Sequence, residues 1–182
     1  MIILMIGPSG SGKGTQAELL ARKLDIPAIS MGELLRQEIA AKSELGQKVE
    51  IYLAAGKWVP AELTWSVLRI ELDKHPEGWV LDGFPRLVEQ LMMLEEYLKL
   101  KAQRVDKIIY LKISDDEAVK RLLGRARHDD SEEIIRQRLK SFKETIEPIL
   151  ARVKQQGILE EVNGERPVEA IHQDIIARLN EQ

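Results

Sequence analysis

The chain has 182 residues, 44% apolar and 31% charged, with a formal net charge of −3, a size that suits one domain with a full core. A nearly balanced charge excludes the basic field of a nucleic-acid binder, and the lack of cysteine excludes disulfides and thiolate metal sites. No apolar run reaches membrane-spanning length and the N-terminus lacks the basic start of a secretion signal, so a cytoplasmic protein that engages neither membrane nor nucleic acid is expected.

Ile2 to Ile6 run straight into Gly7-Pro8-Ser9-Gly10-Ser11-Gly12-Lys13-Gly14-Thr15. That is a buried strand, a glycine-rich turn and a helix start, spaced as G-x-x-x-x-G-K, the phosphate-cradling loop. Glycines let successive N–H groups converge on one anion, and the following helix adds its positive end. Lys13 contributes a full charge.

Ala17, Leu20, Ala21 and Leu24 then recur at helical spacing. Pro27 opens a strand over 28–30. The pattern predicts a helix over 32–41 and a second one, capped by Ser43, with Leu45, Val49 and Leu53 on one side. Gly56 stops that helix, and 57–60 reads as a turn. A helix over 61–74, a strand over 79–82, a helix over 87–100 and a β-branched strand over 105–113 follow. Ser114 caps a helix to about Arg125. Asp130 and Glu133 form a capping box for a long helix carrying Ile135, Leu139, Phe142, Ile146, Ile149 and Val153, stopped by Gly157. A last strand over 158–162 precedes a helix from Pro167. Alternating strands and helices imply an α/β fold with a parallel sheet, whose ligands sit at the carboxyl ends of the strands, beside Gly7 and Asp82.

Two further constellations carry chemistry. Leu81-Asp82-Gly83-Phe84-Pro85-Arg86, with Gln90 behind it, puts an acid at a strand end, where a phosphate-loop enzyme keeps its magnesium partner. Arg86 there can grip a phosphate with two parallel hydrogen bonds. Arg121, Arg125, Arg127, His128, Asp129, Asp130 and Arg138 form a cationic cluster suited to the charge of a phosphoryl group in transit. His75 and His172 lie far apart, without acidic neighbours in register, and are not expected to bind metal.

The position after Lys13 is Gly14, and Lys-Gly-Thr-Gln in this place resembles adenylate kinases and other nucleoside monophosphate kinases. The hexapeptide with its trailing Gln resembles the same family, and the likeness spans nearly the whole chain. It implies a phosphate-loop NTPase-like three-layer α/β/α fold with a central five-stranded parallel sheet. The core would comprise 1–29, 61–124 and 130–182, with a helical acceptor-binding part over 30–60 and a minimal lid over 125–129.

The resemblance also implies roles. ATP would be held by Gly10, Ser11, Gly12, Lys13, Gly14, Thr15 and Arg121. The acceptor would meet Met31, Arg36, Leu53, Lys57, Trp58, Val59, Gly83, Arg86, Gln90, Arg127 and Arg138. Lys13, Arg86, Arg125, Arg127 and Arg138 would be catalytic, and Asp82 would hold Mg²⁺ through water, supported by Asp129 and Asp130. The expected reaction is ATP + AMP to two ADP, carried out by a monomer.

Two departures bear on this. Met31 stands where adenylate kinases usually carry a base-reading Thr, which leaves Gln90 as the polar reader and keeps CMP or UMP open as acceptor. Only Ala126 separates Arg125 from Arg127, where relatives insert a lid, so the chain must break between 124 and 128 for both to face one phosphate. So short a lid implies more ATP hydrolysis without acceptor than in long-lidded relatives. A small-molecule hydroxyl kinase and a non-catalytic nucleotide sensor are the remaining alternatives.

Overall fold

The structure, a computed structural model, describes residues 1–125 and 131–180, with Arg125 described by its backbone alone. In chain order the elements are β1 (Ile2–Ile6), α1 (Lys13–Leu24), β2 (Ala28–Ser30), α2 (Met31–Ala40), α3 (Glu44–Ala54), α4 (Ala61–Leu72) and β3 (Trp79–Asp82). There follow α5 (Val88–Leu100), β4 (Lys107–Lys112), α6 (Asp115–Arg125), α7 (Glu132–Lys154), β5 (Leu159–Asn163) and α8 (Val168–Asn180). The five strands form one sheet in the order β2-β3-β1-β4-β5, every pair parallel.

β1 lies at the centre because all five of its residues are apolar and buried, as a strand covered on both faces requires. Its side chains alternate between two cores. Ile2, Leu4 and Ile6 join Leu81, Ile108 and the apolar stripes of α4, α5 and α7; Ile3 and Met5 join Val80, Ile109, α1 and α8 on the other face. A smaller cluster, Ala118, Leu122, Ile135 and Leu139, joins α6 to α7. Three layers result, as the alternation of elements predicts.

The register sets the site. Met5 pairs with Asp82, and Ile6 with Tyr110, so the end of β1 lies between the ends of β3 and β4. The connections turn to opposite sides of β1, which makes its carboxyl end the point where the strand order reverses. The phosphate-loop sequence leaves β1 at that point.

Helix starts follow their side chains. Ser43 accepts from the Gly46 N–H at 2.8 Å, as its place before an apolar repeat predicts. For α7 the sequence points to Asp130, which lies outside the described residues; Ser131 is the cap, accepting from Ile134 N–H at 3.3 Å. Adjacent residues with equally good capping side chains explain the one-residue difference. Leu87 likewise stands before α5 rather than in it, in extended conformation. The structure keeps α6 helical to Arg125, so Gly124 does not interrupt it.

Candidate active site

The phosphate loop is shaped by its glycines. A Cβ on Gly7 would lie 2.6 Å from the Leu111 carbonyl oxygen and 2.7 Å from Ser11 Oγ, so no larger residue fits where the loop leaves the sheet. Gly12 caps α1 at φ 90°, in the left-handed region, and offers no side chain to the helix. The first turn of α1 thus starts without a side-chain cap, the kind of helix start that suits an anion. Lys13 Nζ arches back over the loop, donating to Pro8 O at 2.8 Å and Ser11 Oγ at 3.4 Å.

Gly10, Gly12, Lys13, Gly14 and Thr15 line a cleft of about 830 Å³, within the range of small-molecule sites. The same cleft is lined by Arg36, Asp82, Gly83, Arg86 and Arg121. Arg121 is held in the wall at two points, donating to Glu117 Oε1 at 2.6 Å and Gly164 O at 2.8 Å. Ser11 is fully buried beneath the loop.

Asp82 sits beside Lys13's loop with its Oδ1 buried and lacking a hydrogen-bond partner. A Cβ on Gly14 would already reach within 3.4 Å of its Oδ2. An unsatisfied carboxylate oxygen against a phosphate cradle fits a hard, oxygen-seeking cation. No group of three His, Cys, Asp or Glu side chains that could hold a metal exists among the described residues, so such an ion would draw its remaining ligands from phosphate and water. His75 does have acidic neighbours, contrary to the expectation from sequence: Glu71 and Glu77 each approach it at 3.5 Å.

A second, smaller pocket adjoins the cleft. Met31, Arg36, Leu53, Lys57, Trp58, Val59, Gly83, Arg86, Gln90 and Arg138 line it, which brings together every acceptor-site residue expected from sequence except Arg127. Arg127, His128, Asp129 and Asp130, and the side chain of Arg125, lie outside the described residues. Trp58 lies under the Arg86 guanidinium, Cζ 4.4 Å from the ring centre. Arg86 Nε donates to Gly83 O at 3.0 Å. The Phe84–Pro85 peptide bond is cis.

Electrostatics single this pocket out. Burial pulls the Arg86 pKa down to about 10, the Asp82 carboxylate opposes that fall, and the guanidiniums of Arg138 and Arg36 deepen it. Three guanidiniums close together give the pocket a positive field of the kind that favours an anion. Glu33 pairs with Arg36 at 2.8 Å.

Gln90 differs from expectation. Its Oε1 accepts from Arg86 N–H at 2.7 Å and Leu87 N–H at 3.3 Å, and its Nε2 donates to Thr64 Oγ1 at 3.1 Å. The oxygen is thus engaged by backbone before any base arrives. Thr64, absent from the sequence-derived site, lines the pocket; the signal is a hydroxyl on the otherwise apolar stripe Ala61, Thr64, Leu68, Leu72, all buried.

Comparisons with known proteins agree with this geometry. A family profile described as adenylate kinase matches residues 5–158. The adenylate kinase of Corynebacterium urealyticum is 41% identical over 182 residues, covering 99% of each chain. That of a Synechococcus strain is 40% identical over 177 residues, covering 97% of each. The adenylate kinase of Mycolicibacterium smegmatis is 45% identical over 152 residues, 82% of this chain and 84% of its own. A profile match over most of the chain and relatives about 40% identical over nearly its full length show that the chain belongs to the adenylate kinase family.

Proposed function

We infer that the protein transfers the γ-phosphoryl group of Mg–ATP to AMP, giving two ADP. One observation carries the reading: Arg36, Arg86 and Arg138 line one pocket that adjoins the phosphate loop. A phosphate-bearing acceptor matches the positive field of those groups, whereas a neutral hydroxyl acceptor brings no charge to meet it.

In this reading the loop N–H groups and Lys13 hold the donor phosphates, and Arg121 flanks the donor nucleoside. Arg36 leaves Glu33 for the acceptor phosphate, and Arg86 grips the same phosphate from its perch on Trp58. An acceptor phosphate oxygen attacks the γ-phosphorus in line, a new P–O bond forms, and the bond to the β-phosphate bridging oxygen breaks, with its electrons leaving on ADP. Arg138 and, by family resemblance, Arg125 and Arg127 offset the charge in transit. Asp82 would hold the Mg²⁺ that arrives with ATP, an ion that neutralises phosphate charge when bound. One chain supplies every described wall of the cleft, so a monomer suffices; ATP and AMP supplies make the cytoplasm its proposed site of action.

The test is a coupled assay of ADP formation across AMP, CMP, UMP and GMP. Turnover with AMP is the expected result. Turnover of CMP or UMP alone would reassign the acceptor, and nucleotide binding without any turnover would leave a sensor.

A further inference from the structure

The acceptor pocket carries a hydrogen-bonding pattern that neither Met31 nor Gln90 accounts for alone. Thr64 is buried on α4, 4% exposed, and Gln90 on α5 is 2% exposed. The Thr64 hydroxyl donates to Ala61 O at 2.8 Å and accepts from Gln90 Nε2 at 3.1 Å. A hydroxyl oxygen has a second lone pair, and a side-chain amide nitrogen a second hydrogen. Each residue therefore retains one unused function, an acceptor on Thr64 and a donor on Gln90, side by side.

The polarity of this pair is locked. Turning the Gln90 amide over would set its NH₂ against the N–H groups of Arg86 and Leu87, which now point at its oxygen. Rotating the Thr64 hydroxyl to donate outward would break its bond to Ala61 O inside the helix. Met31, buried in the same pocket, supplies apolar contact and no hydrogen bond.

We propose that Thr64 is a specificity-determining residue, whose hydroxyl oxygen together with the Gln90 amide N–H selects a base bearing an amino group next to an unprotonated ring nitrogen. That edge belongs to 6-aminopurines and is shared by 4-aminopyrimidines. A 6-oxopurine offers the reverse, an acceptor facing an acceptor and an N–H facing an N–H. The Thr64 hydroxyl thus does from α4 the polar reading that Met31 cannot do from α2. The proposal rests on the nucleoside monophosphate kinase reading and specifies its acceptor.

The experiment is a cycle of kcat/KM values for the full chain, wild type and Thr64→Val, with three acceptors: AMP, inosine monophosphate, and purine riboside monophosphate, which lacks the 6-amino group. In the wild type, deleting the amino group is expected to cost about tenfold. In Thr64→Val the same deletion costs nothing, and the preference for AMP over inosine monophosphate falls about tenfold. Thr64→Ser restores both. Equal losses for all three acceptors in Thr64→Val would mean that Thr64 only props Gln90, and would overturn the proposal. The wild-type comparison of AMP with its deaminated analogue needs no variant: equal values there overturn it as well. A wild type that turns over none of the acceptors would instead refute the kinase reading itself.

Discussion

Replacing Lys13 with Met is expected to lower kcat by about 10³-fold, the scale seen when one preorganised donor to developing charge is removed. Lys13 Nζ is held over the loop by Pro8 O and Ser11 Oγ. It is thus in place before ATP binds, and its charge costs no reorganisation at the moment of transfer. Arg in its place would not restore activity, because a planar fork cannot occupy a point-charge position against Pro8 O. Steady-state turnover with saturating ATP and AMP checks this, and thermal unfolding of both variants should match the wild type within a few degrees. A kcat within tenfold of wild type would remove Lys13 from the machinery.

Replacing Arg86 with Ala is expected to lower kcat/KM for AMP by about 10²- to 10³-fold, with KM raised and kcat lowered together. Arg86 touches Trp58, Gly83 O and the shared field of Arg36, Arg138 and Asp82, so its loss releases the acceptor phosphate on one side. Stability should change little. The Arg86 pKa is lower in the folded protein than in the unfolded chain, so its charge opposes folding at neutral pH, and that opposition lifts only as pH rises through about 10. Removing that charge offsets what is lost with the Trp58 contact and the Gly83 O bond, so the variant should melt within a few degrees of wild type. An Arg86→Ala protein that loses stability without losing kcat/KM would show a structural arginine and not an acceptor grip.

Much of this was legible in the residues. The phosphate loop, the Asp82 strand end and the sheet needed only local pattern, because β1 and β3 are short apolar runs with turn chemistry behind them. The convergence of Arg36, Arg86 and Arg138 was legible only through resemblance, since they come from α2, the segment before α5, and α7. Spacing along the chain says nothing of distance across a sheet. What stayed hidden were the partners. Gln90 reads as a base-facing amide until its oxygen is seen to take two backbone N–H groups. Thr64 reads as a plain helix residue until the fold brings it against a hydrogen-bond donor 26 positions along the chain. Glu33 reads as a first-turn acid on α2, and only the packed side chains show it paired with Arg36. Side-chain hydrogen bonds between elements depend on tertiary geometry, which a hydrophobic period does not encode.

The central claim is that two nucleotides lie in line across one cleft, phosphate to phosphate. Calorimetric titration with a compound joining two adenosines through five phosphates tests it most directly. The account predicts one site per chain, bound about 10²- to 10⁴-fold more tightly than ATP or AMP alone, since linking the halves makes the second contact intramolecular. Arg86→Ala should lose most of that gain. Affinity no greater than that of ATP, or two compound molecules per chain, would contradict it.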